Sequence, residues 1–207
     1  MAISSLLITL SVGLTAGFMA AKYQGKWLDK TITNLSLLFI SIPHFFLGPL
    51  LILLFSIFLG WLPISGMQGI YSIILPALTL ALGLLAVTIK MTRNCMVELM
   101  NSDVVRTARA KGLSEWKVLI HHVFRLVLIP IITLLGMQFG SLLSGAVITE
   151  TIFSWNGIGK LLVESIQTRD YPVTQSCILL IATSYVCINF FTELLYQWVD
   201  PRVRLNK

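Results

Sequence analysis

The chain has 207 residues, of which 56% are hydrophobic and only 12% charged, and its mean hydropathy is +0.86. An average soluble domain carries about 25% charged residues, so composition excludes a water-soluble enzyme, a disordered segment and a secreted disulfide scaffold. The formal net charge of +6, from 15 Lys and Arg against 9 Asp and Glu, would suggest a nucleic-acid partner in a soluble protein; here the charges are placed as in a membrane protein, and no nucleic acid is implied.

Residues 1–21 carry no charge. They predict a membrane-spanning helix over about 3–21. A signal peptide would have a basic region ahead of its apolar run, and no Lys or Arg precedes Lys22. Lys22, Lys26 and Lys30 then mark a loop. The next uncharged stretch, 31–89, is 59 residues long, whereas about 20 helical residues cross a 30 Å hydrocarbon core. Turn formers at Leu62-Pro63-Ile64-Ser65-Gly66, with Gly69, Tyr71 and Pro76, divide it into two spans near 37–60 and 75–95. Pro43 predicts a kink in the first of these. His44 follows it, an ionisable group at membrane depth and so a functional candidate. Imidazole is also a nickel ligand, but no second ligand stands near it in sequence, and a ring bonded to carbonyls freed by the kink is the simpler reading.

Residues 102–130 form the most ordered connection. Ser102 or Asp103 suits the N-cap of a short helix, with Val104, Val105 and Ala108 on an apolar face and Arg106, Arg109 and Lys111 elsewhere. Gly112 suits the stop after it, where a positive φ costs little. Ser114 opens a second helix with Glu115 in its first turn, and Trp116, Leu119, Ile120 and Val123 repeat at helical spacing. The fourth span follows near 127–149. Its Gly136, Gly140 and Ser144 recur every fourth residue as a small-residue stripe that allows close helix packing, either within the subunit or along a subunit interface or pathway. Residues 153–171 predict a short helix and turn, with Trp155 and Tyr171 at the membrane interface. The last span lies near 173–197. Cys95, Cys177 and Cys187 form no C-x-x-C pair, and His121 and His122 are adjacent and so point to different helix faces. Thirteen of the 15 Lys and Arg lie on one side of this arrangement. The positive-inside rule places the 22–30 loop, the 96–125 loop and the C-terminus in the cytoplasm, and the N-terminus outside.

The run Arg106-Thr107-Ala108-Arg109-Ala110-Lys111-Gly112-Leu113-Ser114, with His122 and Ile129-Pro130 beyond it, resembles the EAA loop of binding-protein-dependent ABC importer permeases. The dipeptide, oligopeptide and nickel branch is the most similar. Gly145-Ala146-Val147-Ile148-Thr149-Glu150-Thr151-Ile152-Phe153-Ser154-Trp155, Gly157-Ile158-Gly159-Lys160-Leu161-Leu162, Arg169-Asp170-Tyr171-Pro172 and the closing Asp200-Pro201-Arg202-Val203-Arg204 extend the resemblance along the chain, as do Ser41-Ile42-Pro43 and Leu62-Pro63. Set against such permeases, the sequence starts at their second helix.

The resemblance implies an all-α membrane protein of about five transmembrane helices plus a cytoplasmic coupling helix, forming one domain in a prokaryotic inner membrane. It implies a second permease subunit, two ATPase subunits and a solute-binding protein as partners, within membrane lipid. Residues 106–113 would then dock on the ATPase, with Thr107, Ala108 and Gly112 as the close-packing surface and Arg106, Arg109 and Lys111 at its rim. Peptides or nickel are the implied substrates. No Gly-x-x-x-x-Gly-Lys-[ST] run occurs, so ATP is expected on separate chains, with no cofactor, metal or catalytic residue here. The competing expectation is a secondary transporter, which would favour intramembrane charges and internally related halves.

Overall fold

The computed structural model describes residues 1–67 and 69–199. Every regular element among them is helical. In chain order these are α1 (Ala2–Lys22), α2 (Trp27–Ser41), α3 (His44–Leu51) continuing as a π-helix (Ile52–Phe58), a 3-10 turn (Ile70–Ile73) leading into α4 (Ile74–Met100), α5 (Asp103–Ala110), α6 (Glu115–Lys117), a π-helix (Val118–Phe124), α7 (Arg125–Ile152), α8 (Ile158–Thr168) and α9 (Tyr171–Val199). Four helical runs are long and apolar enough to cross a membrane, and α2 with α3 makes a fifth if the bent pair is one span.

The expected span at 37–60 is corrected in shape. Pro43 lacks the N–H that would continue the helix and pushes its neighbour out of the α region; Ile42 is extended at φ −91°, ψ 118°. The two arms therefore meet at a bend of 105°. Its first arm also starts earlier than expected. The loop after α1 shrinks to residues 23–26, and Lys30 lies on α2 rather than in the loop. Likewise α4 runs past the expected end at residue 95 to Met100.

α4 is the inner staff of the bundle. Leu75, Leu80, Ala81, Leu84, Ala86 and Met96 on it are buried. α1 lies along α4 because Ser5, Thr9, Gly13, Gly17 and Ala21, one residue in four, are all small and all buried. The buried hydroxyls are satisfied inside their own helix, Ser5 donating to Ala2 O and Thr9 to Ser5 O, each at 2.8 Å. The backbones approach so closely that a Cβ on Gly17 would stand 2.6 Å from Thr92 Cβ and 2.9 Å from Ile89 O. A backbone carbonyl cannot rotate away. Gly17→Val is therefore expected to lower the unfolding free energy by about 1–3 kcal/mol, the usual cost of overpacking, read as a lower thermal midpoint in detergent. An unchanged midpoint would show that the two helices part without loss.

α7 crosses α4 at a polar pin. The buried Gln138 donates from Nε2 to Leu84 O at 3.2 Å and meets the Thr88 hydroxyl at 3.3 Å. Gly136 and Gly140 lie against Thr192 and Tyr185 of α9. The stripe on α7 thus packs within the subunit; the side chain of Ser144 lies outside the described residues. At the end of the bundle where α1 begins, Glu150 of α7 accepts from Gly159 N at 2.8 Å and Lys160 N at 3.1 Å, closing off the N-terminus of α8. Gly157 and Gly159 permit this approach, since side chains there would collide with Glu150 and Val147.

Candidate functional site

The segment between α4 and α7 is folded, not slack. Asn101 and Ser102 turn the chain out of α4. Ser102 has the extended backbone of an N-cap, φ −77° and ψ 159°. Its hydroxyl nevertheless donates back to Leu99 O at 2.6 Å instead of capping α5. α5 has eight residues, and two of them decide its orientation. Val105 is 1% exposed and Ala108 5%, both packed into a cluster with Ala21 of α1, Met96 of α4, and Val118, Leu119 and Val123 of the π-helix. Val104, expected on the same apolar face, is 50% exposed. Ala108, expected on the outward surface with Thr107 and Gly112, is largely buried and lies at the base of a cleft on that side. The outward surface consists of Asp103, Val104, Arg106, Thr107, Ala110 and Lys111, with Gly112 at its end.

Gly112 has φ +75°, the left-handed conformation expected of a glycine stop. Its N–H donates to Arg109 O at 2.9 Å. The reversal brings Arg109 onto Glu115, where Nε–Oε1 is 2.7 Å and Nη2–Oε2 is 3.0 Å. This two-pronged pair raises the Arg109 pKa above its ordinary value. More usefully, it spans the turn and holds α5 to the start of the next helical run. Leu113 closes the inside of the turn against the same cluster. A shallow cleft of about 420 Å³ runs along the outward side, between Val104, Thr107 and Lys111 on one hand and Leu113 and His122 on the other. His121 faces away from it and is exposed.

The segment is anchored to the bundle through aromatic contacts as well. Phe18 of α1 meets Trp116 and Phe124 edge-on, with centroids 5.8 and 6.0 Å apart. From α6 onward the chain is helical without a break to Ile152. α5, α1, α4 and α7 thus share one hydrophobic cluster.

The remaining expected residues lie elsewhere. His44 sits at the start of α3 with Nδ1 3.3 Å from Thr79 O of α4, and its ring fills the space over Gly83. It packs α3 against α4, and no group of three metal-ligating side chains occurs among the described residues. The closing run 200–204 lies outside the described residues.

Two features escape sequence reasoning. One is the Arg109–Glu115 pair, hinted at only by opposite charges flanking a glycine. The other is a bidentate pair between Arg93 of α4 and Asp29 of α2, at 2.6 and 2.8 Å, with Gly25 N donating to the same carboxylate at 2.9 Å. Asp29 is the only acid before Glu98 in the sequence, which is the signal that marks it.

Comparison with known proteins fits this architecture. Residues 13–205 match the family described as binding-protein-dependent transport system inner membrane component. The di/tripeptide transport system permease protein DppB of Pseudomonas aeruginosa (strain UCBPP-PA14) is 41% identical over 232 aligned positions, covering 99% of this chain and 69% of that protein. The glutathione transport system permease protein GsiC of Escherichia coli (strain K12) is 42% identical over 202, covering 98% and 66%. The chain thus spans about two thirds of the length of these curated relatives. A chain of the MetNI methionine ABC transporter, in an inward-facing conformation, superposes with a TM-score of 0.75 at 16% identity, covering 96% of this chain and 94% of that one. This last likeness shows the fold alone. With a family match across nearly its whole length and close relatives that are transport permeases, the chain belongs to the inner-membrane permease components of binding-protein-dependent ABC importers.

Proposed function

We propose that the chain contributes half of the transmembrane pathway of an ATP-driven importer of short peptides, with α5 as the element that receives motion from a cytoplasmic ATPase subunit. The observation carrying this reading is the division of labour on α5. Val105 and Ala108 pack into a cluster to which three membrane helices contribute, while Thr107, Ala110 and Lys111 are exposed. A surface helix exposed on its outward face and packed on the other against the spans is suited to transmit a push. The basic end of the bundle, with Lys22, Lys26, Arg106 and Lys111, faces the cytoplasm under the positive-inside rule. A second permease subunit completes the pathway, and a solute-binding protein delivers substrate at the α8 end. The relatives' names, di/tripeptide and glutathione transport, favour a short peptide over nickel.

The test is cross-linking in native membranes. In a Cys187→Ser background, Thr107→Cys is treated with a short thiol-to-amine reagent, and the adducts are identified by mass spectrometry. The expected product is a protein bearing the Gly-x-x-x-x-Gly-Lys-[ST] loop of an ATPase, with a yield that changes when ATP is added. A secondary transporter would give no ATPase adduct, and that result would overturn the proposal.

A further inference from the structure

The end of α1 and the run from Trp116 to Phe124 leave a groove of about 310 Å³ on the surface of the bundle. Its walls are Leu14 and Phe18 on one side and Trp116, Ile120 and Phe124 on the other, and no polar surface contributes to the lining. Thr15 presents only its methyl group, because its hydroxyl donates to Ser11 O at 2.7 Å. The edge-on stacking of Phe18 against Trp116 and Phe124 keeps the floor formed without an occupant.

The mouth of the groove is cationic. Lys22 Nζ lies 4.6 Å from the centre of the Trp116 ring and 5.4 Å from that of Tyr23, and Lys26 Nζ lies 5.7 Å from the same Tyr23 ring. Among the described residues neither ammonium is paired with a carboxylate. Two like charges share one aromatic patch, so an anion placed between them would be doubly attracted. The matching ligand has an anionic head at the level of Lys22 and an apolar tail running along α1 into the membrane.

We infer that this groove binds one anionic phospholipid, its acyl chain between α1 and the Trp116–Phe124 run and its phosphate at Lys22 and Lys26. The groove is on the α1 side of the segment, away from the outward face of α5, so lipid and ATPase do not compete for it. The inference needs only that α1 spans the membrane, and it stands or falls apart from the importer reading.

The full chain in mild detergent is offered equal amounts of phosphatidylglycerol and phosphatidylcholine with identical acyl chains, and bound lipid is counted by native mass spectrometry. One phosphatidylglycerol is expected to be retained in preference. Lys22→Gln and Lys26→Gln should each lower that preference about fivefold, the effect of one basic side chain near an anionic lipid surface. Thr15→Trp, which keeps both lysines and fills the groove, should abolish retention while leaving the thermal midpoint unchanged. A photoreactive residue at the exposed Met19 should yield a lipid adduct in membranes. Equal retention of the two lipids, indifference to both lysine changes, or a Met19 adduct to protein, whether a second copy of this chain or an ATPase, would overturn the inference.

Discussion

Replacing Thr107 by tryptophan is expected to abolish ATP-dependent uptake while the protein accumulates in the membrane at its normal level. Thr107 is exposed on the outward face of α5 and makes no side-chain hydrogen bond among the described residues. Tryptophan and threonine have similar helix propensities, so α5 itself should persist. What changes is the room for an approaching partner. Uptake of a labelled dipeptide into vesicles holding the assembled importer, and the substrate-stimulated ATPase rate, should both fall to background; Thr107→Ser should retain them. Gly112→Trp should give the same loss, for a compound reason. At φ +75° any side chain is strained by about 1 kcal/mol, and among the described residues nothing beyond its chain neighbours stands within 4 Å of a Cβ there. Gly112→Ala carries the strain without the bulk, and it should keep most of the uptake. Normal transport by Thr107→Trp would remove α5 from the coupling path.

The second large effect is on stability. Asp29 is 5% exposed at its side chain and receives both prongs of Arg93 as well as Gly25 N. Asp29→Asn leaves the guanidinium partly desolvated without its counter-charge. Breaking a buried pair costs about 3–5 kcal/mol; the 23% exposure of Arg93 argues for the lower part of that range. The expected observation is a thermal midpoint in detergent well below that of the parent chain, with α2 released first in hydrogen exchange. Asp29→Leu combined with Arg93→Met should recover much of the loss, because neither charge is then stranded. Equal midpoints for the parent chain and Asp29→Asn would mean that water reaches the pair freely.

Helix count and the glycine stop are legible in sequence because both follow from local chemistry. Gaps between charges outline the spans, and Gly112 ends α5 through its own backbone freedom. The small-residue stripe from Ser5 to Ala21 has the same four-residue spacing as Gly136 and Gly140, yet goes unread until α1 is seen against α4. Orientation around α5 is a different matter. Val104 and Val105 are equally apolar neighbours, and only Met96, Val118 and Val123 in the folded chain decide which of them is covered. The same holds for Asp29, whose partner lies 64 residues away; several lysines and arginines would serve as well until tertiary structure selects Arg93. At the bend, proline predicts a break but not its size, which depends on His44 seating against Thr79 and Gly83.

The π-helix at Val118–Phe124 stands directly between α6 and α7. Its hydrogen bonds reach five residues back, so it holds one surplus residue relative to α geometry. That residue changes the facing of α6 relative to α7 by about 100°, one residue's share of an α-turn, without severing the helix. Val118, Leu119 and Val123 are buried in the cluster and hold the π-helix in this register. The wide turn thus fixes which faces of α6 and α7 look into the bundle.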